Sequence, residues 1–127
     1  MFVMAVPAAT AEAARSKEHS GREVAESRER CCSHYHYAVE LIGKRWTGAI
    51  LIVLMDGPLR FSEVRHLVPD ISDRLLSERM KELEAEGLVE RRVLDEMPIR
   101  VQYELTEKGR ALEPTLRSLK SWANSWT

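Results

Sequence analysis

Between Trp46 and the breaker Asp56-Gly57-Pro58 the chain reads TGAILIVLM, almost continuously apolar. A segment without a polar face must be surrounded by other elements, and this one is far too short to span a bilayer, which takes roughly 20 residues. Its length and flanks predict a buried central helix over Thr47–Met55. A buried strand is the competing reading, because Ile and Val are frequent there. Whichever it is, the remaining elements must pack around it. A chain of 127 residues supports one domain with one modest core, plus an appendage.

Composition adds exclusions. Hydrophobic residues make up 44% and charged residues 31%, an ordinary soluble balance. The opening MFVMAVPAAT is mildly apolar, but no basic residue precedes it, so it does not read as a signal peptide. The cysteines, Cys31 and Cys32, are adjacent and would bridge each other only in a strained ring. Reduced thiols in a cytoplasmic protein fit better. Net charge is −1, so no global field draws this chain to nucleic acid. Of its 19 basic and 20 acidic residues, five of each fall in residues 1–30, leaving 14 and 15 for the rest. A basic surface would have to be a local concentration.

Residues 1–30 are rich in Ala, Glu, Arg and Ser, with Phe2 the only aromatic, and cannot bury enough apolar area to order themselves. We expect a mobile tail there, with a transient helix from about Ala11, and the folded domain over residues 31–127. From Cys32, residues Tyr35, Ala38, Val39, Leu41 and Ile42 recur at helical spacing up to Gly43. After the apolar segment, Leu59-Arg60 suits a short strand bridge. Phe61, Val64, Leu67 and Val68 mark a short helix ended by Pro69. Ser72 is placed to cap the run DRLLSERMKELEAEG, which Gly87 closes. Its Leu76, Met80 and Leu83 share one face, with Leu75 at the edge, and Arg74, Ser77, Glu78 and Lys81 lie opposite. LVERRVL and VQYEL then read as a hairpin joined by residues 95–100. Thr106 caps a last helix to about Ser125, with a kink or irregular start at Pro114.

The chain is therefore expected to be mainly α with a small β-hairpin, in the order of a winged helix-turn-helix domain with flanking dimerisation helices. In that plan the helix from Ser72 lies in the DNA major groove, and the hairpin reaches the backbone or the adjacent minor groove. The stretches LIGKRWTGAILIVLMDGPLRFSEV, ISDRLLSERMKELEAEGLVERRV and PIRVQYELTEKGRAL resemble the HxlR-type family of bacterial regulators, relatives of the MarR-type repressors. The likeness runs over residues 32–127 nearly without gaps. It departs mildly where Gly43-Lys44-Arg45-Trp46 replaces the commoner Gly-Gly-Lys-Trp and Ser33 replaces a Pro. The GKRW form is similar to the thiol-based, electrophile-sensing branch of the family.

The resemblance implies a homodimer bound to double-stranded operator DNA, more readily a repressor than an activator, with no cofactor and no membrane partner. Arg74, Ser77 and Lys81 are the expected base or phosphate contacts, with Ser72 at the helix start. Their bland alternative is a solvated helix face with Glu78 pairing locally. Arg100 and Arg92 on the hairpin either reach DNA or pair with Asp95, Glu96 or Glu90, and Lys44 and Arg45 are further backbone candidates. Leu112, Leu116, Leu119, Trp122 and Trp126 are more apolar side chains than the end of such a domain needs. We expect them to meet a second subunit, together with Tyr35 and Val39; the alternative is packing within the chain.

Cys32 occupies the position of the family's early cysteine. Near a helix start the dipole favours the thiolate, and His34, His36 or nearby cations would lower its pKa further. It is thus the expected redox sensor for an electrophile or oxidant, against the alternative of an inert small hydrophobe. No cysteine follows Cys32, so oxidation would need Cys31 or Cys32 of a second subunit, or a small thiol. Cys31-Cys32-Ser33-His34-Tyr35-His36 also contains metal-ligand types, but at spacing poor for one-chain tetrahedral closure, and no metal is expected. No phosphate loop, nucleophile elbow or acid–base pair suggests an enzyme. The remaining rivals are a winged helix used for protein contact and a regulator responding to a small ligand without thiol chemistry.

Overall fold

The structure, a computed structural model, describes residues 21–127. The chain divides into two units between His36 and Tyr37. In the first, residues 21–27 are helical and exposed, and residues 28–32 lead into helix α1, Ser33–Ile42. The expected tail and its transient helix lie outside the described residues up to residue 20.

In the second unit the apolar segment is a helix, α2, Thr47–Leu54, which excludes the strand reading. Its Thr47, Ile50, Leu51 and Leu54 are buried. Trp46 precedes it with φ 77°, a left-handed conformation that costs a bulky residue about 1–3 kcal/mol. Two contacts hold it there: the ring packs against the core, and the Arg45 guanidinium lies 4.9 Å from its centroid. At the other end Arg110 Nη1 donates to the Met55 carbonyl at 3.1 Å, supplying a partner for a helix-terminal acceptor.

After Gly57-Pro58, β1 (Leu59–Arg60) passes directly into α3 (Phe61–Leu67). The Arg60 N–H donates to Glu63 Oε1 at 2.8 Å, so Glu63 satisfies an otherwise free donor at the helix start. Helix α4 spans Asp73–Ala85. Ser72 caps it as expected, its Oγ accepting from the Leu75 N–H at 3.1 Å. The helix stops because Gly87 takes φ 72°. There the Leu88 N–H donates to the Leu83 carbonyl (2.9 Å) and the Gly87 N–H to that of Glu84 (3.0 Å), a Schellman closure with buried Leu83 and Leu88 as its apolar pair.

Strands β2 (Val89–Leu94) and β3 (Arg100–Leu105) form the hairpin, with Val89 opposite Leu105 and Leu94 opposite Arg100. Leu59 and Arg60, the expected strand bridge, pair with Tyr103 and Gln102, so the hairpin is completed to a three-stranded antiparallel sheet in the order β1-β3-β2. The single last helix is a correction. Thr106 caps only a short helix α5, Glu107–Arg110, and α6 starts afresh as Glu113–Trp126. Pro114 has no N–H, and its ring would clash with the Arg110 carbonyl, so one helix cannot run through.

One buried cluster joins these elements: Ile50, Leu51 and Leu54 of α2, Val64 of α3, Leu76, Met80 and Leu83 of α4, Val89 and Leu105 of the sheet, and Leu116 of α6. A tight junction closes it beneath α4. Thr106 donates through its N–H to the Leu88 carbonyl (3.0 Å) and through its hydroxyl to that of Gly87 (2.6 Å). Gly109 lies against the same peptide, where a Cβ would meet the Leu88 oxygen at 2.1 Å. Gly109→Ala therefore forces backbone apart. It should lower stability by about 1–3 kcal/mol in urea unfolding, whereas Gly21→Ala, with nothing within 4 Å of its Cβ, should leave the midpoint unchanged.

Candidate nucleic-acid interface

The burial of α4 decides which of its side chains face out. Leu76 and Met80 are buried on one side, and 100° per residue puts Arg74 and Lys81 on the other, with Ser77 beside Met80 at the margin. Arg74 has 91% of its side chain exposed and reaches the Glu78 carboxylate at 3.5 Å, a surface pair of little worth that a phosphate can displace. Lys81 is exposed and, among the described residues, makes no ion pair. Ser77 is half-buried at the margin. Ser72 uses its oxygen as the helix cap, leaving its O–H free to donate outward. Asp73 is held by Arg65 at 3.0 Å, beside the helix start where a negative charge is favourable.

Arg79, on the same helix, was not singled out from the sequence. Only 14% of its side chain is exposed. Its Nε donates to the Arg45 carbonyl at 2.9 Å and its Nη1 to both Glu82 oxygens, at 3.2 and 3.3 Å. Glu82 also holds Lys44 at 3.1 Å. Arg79 thus fixes α4 against the turn between α1 and α2. Its spacing, four residues after Leu75 and three after Leu76, was the available signal that it borders the apolar stripe. Tyr37 of α1 adds a second tie, its hydroxyl donating to the Glu86 carboxylate, and Lys108 Nζ reaches the Glu86 carbonyl at 2.7 Å.

These ties bear on the other expected contacts. Lys44 is drawn to Glu82, and Arg45 lies over Trp46. On the hairpin, Arg92 pairs with Glu104 (3.2 Å) and Glu90 (3.7 Å), and Arg100 with Glu96 (3.5 Å), the intramolecular alternative raised from sequence.

The apolar stripe of α6 is divided. Leu116 is buried in the chain's own core and Leu112 packs against it, so these two are corrected from interface to core residues. The helix leaves the core beyond that point, and Leu119, Trp122 and Trp126 are 55%, 61% and 76% exposed. Beside them runs a largely apolar groove of about 250 Å³ lined by Gly48, Ala49, Ile52, Leu116, Leu119, Lys120 and Ala123. Tyr35 and Val39 on α1 are also exposed.

Cys31 and Cys32 are exposed free thiols. Backbone N–H groups of Tyr35 and His34, at the start of α1, hold the Cys32 thiol below its ordinary pKa. Among the described residues no three His, Cys, Asp or Glu side chains converge as a metal site would require, and no helix is long and apolar enough to cross a membrane.

A capped helix held outward by a buried ridge, a supporting short helix and an adjoining hairpin define a winged helix-turn-helix transcription regulator. The pattern of the HxlR-like helix-turn-helix family matches residues 41–127, and the chain belongs to that family. It is 48% identical to the HTH-type transcriptional regulator YodB of Bacillus subtilis (strain 168) over 95 residues, 75% of this chain and 85% of YodB. The structure of reduced YodB superposes with a TM-score of 0.70 over 76% of this chain and 95% of that one. The redox regulator HypR in its oxidised form, 39% identical, gives 0.70 over 73% and 96%. A MarR-family regulator from Porphyromonas gingivalis W83, at 22% identity and a TM-score of 0.73, shares the fold. The family match begins at Leu41, past Cys32.

A lowered thiol pKa leaves more thiolate at a given pH, and the thiolate is the nucleophile. Alkylation of Cys32 by iodoacetamide, followed by peptide mass spectrometry, should therefore rise with pH through a midpoint below that of a free cysteine peptide. The two midpoints should coincide once the protein is unfolded in urea.

Proposed function

We propose that this regulator is a repressor that binds a pseudo-palindromic operator as a homodimer and releases it when Cys32 is modified. The observation that carries DNA binding is the outward face of α4, where Arg74 and Lys81 stand opposite a fully buried ridge and Ser77 borders it. Arginine suits guanine edges and lysine suits phosphate, and Ser72 can donate to phosphate at the helix start. Arg45, and Lys44 on giving up its pair with Glu82, would be further backbone contacts near the same helix.

Dimerisation is supported by exposed Leu119, Trp122 and Trp126 beside an apolar groove, an arrangement that water disfavours and a second copy would cover. Tyr35 and Val39 would join that interface. Two α4 helices related by a dyad would then enter major grooves about one turn, roughly 34 Å, apart. A dimer lying across promoter DNA blocks access to it, which is the simplest way for such a protein to repress.

YodB has been crystallised diamide-treated and quinone-bound. By analogy, the Cys32 thiolate would add to an electrophilic ring carbon of a quinone. Alternatively it would form a disulfide with a second thiol, two electrons passing to diamide. Residues 31–127 would form the working domain, in the cytoplasm, where thiols remain reduced.

Footprinting upstream of its own and neighbouring genes should reveal a protected two-fold site. Affinity for that site should fall by about 10³-fold or more between 50 and 200 mM salt. Trp122→Glu should turn the dimer into a monomer in sedimentation and weaken operator binding by about 10²-fold or more. Cys32→Ser should bind as the parent does but keep its operator in diamide or quinone; a variant still released by them removes the thiol from the mechanism.

A further inference from the structure

Strand β2 carries two adjacent arginines, Arg91 and Arg92, and the pleat sends them to opposite faces of the hairpin. Arg92 lies with Glu90 and Leu94, opposite Glu104, Gln102 and Arg100. That face is internally neutralised: Arg92 is held by Glu104 and Glu90, and Arg100 by Glu96. A phosphate approaching it would have to break those pairs and approach three carboxylates.

Arg91 lies on the other face. Its strand neighbours there are Val89 and Val93, and across the ladder stand Leu105, Tyr103 and Val101. None of these carries a carboxylate. Val89 and Leu105 are buried in the core, so this is the face turned to the helices, on the side where α4 packs against β2. Arg91 is exposed, just beyond the point where the core ends, and makes no ion pair among the described residues. An exposed guanidinium flanked by apolar side chains has no internal anion to give up when it meets a phosphate.

We propose that Arg91, rather than Arg92 or Arg100, is the residue through which the hairpin neutralises the DNA backbone. The assignment rests on the DNA-binding reading above. It replaces Arg92 and Arg100 with the strand neighbour of Arg92 that lies on the opposite face of the hairpin. Arg92 and Arg100 then serve the hairpin itself, tying its two strands and its turn together.

The test is the salt dependence of duplex binding by the full chain, on the footprinted operator and on an unrelated duplex of equal length. Each lost phosphate contact reduces the slope of log K against log salt by about 0.9. Arg91→Gln should show that shallower slope on both duplexes, and Arg91→Lys, which keeps the charge, should restore it. Arg92→Gln and Arg100→Gln should keep the parental slope. An unchanged melting temperature for Arg91→Gln shows that the hairpin remains folded. If the parent binds duplex DNA while Arg91→Gln keeps its slope, or if Arg92→Gln or Arg100→Gln is the variant that loses it, the assignment is overturned and DNA binding stands. A parent that ignores both duplexes overturns DNA binding and the assignment with it.

Discussion

Leu76, Met80 and Leu83 are buried in one cluster with Ile50, Leu51 and Leu54 of the central helix. Each such side chain contributes about 1.5–3 kcal/mol on leaving water, so α4 cannot turn about its axis without losing a large part of the domain's marginal stability. Its opposite face is thereby held outward without any direct support of its own. The ends of the helix are fixed by separate means, Ser72 at one and the Gly87 closure at the other. Arg79 ties its middle to the α1–α2 turn. A helix held at both ends and along one side is a rigid platform for side chains that must meet a partner in register.

Net charge gives no hint of this surface, and the pairing pattern explains why. Glu82 is engaged by Arg79 and Lys44, Glu86 by Tyr37, and Glu90 and Glu104 by Arg92. Several carboxylates on and near α4 are thus engaged by groups of the same chain, while among the described residues Lys81 makes no ion pair and Arg74 pairs with the exposed Glu78. A near-neutral chain can present a locally basic face when its carboxylates are occupied internally.

Helix α6 shows the same sequence pattern meeting two fates. Leu112, Leu116, Leu119, Trp122 and Trp126 recur at one helical spacing. The first two meet the core and the last three do not, because the domain they could cover ends before the helix does. Periodicity reports that a face is apolar, and says nothing of which chain buries it.

Local chemistry was readable from the residues: the caps at Ser72 and Thr106, the stop at Gly87, the two strands of the hairpin and the buried ridge of α4. Each depends on neighbours within a few positions, which a sequence displays. The central helix was identified by length and flanks, though Ile and Val left a strand open until packing excluded it. What needed the tertiary structure was pairing between distant positions. Arg79 with the Arg45 carbonyl, Tyr37 with Glu86, Arg92 with Glu104 and the third strand at Leu59 all join residues far apart in the chain. Whether a charged side chain is free or engaged depends on what the fold brings within a few ångströms, since short-range pairing decides it.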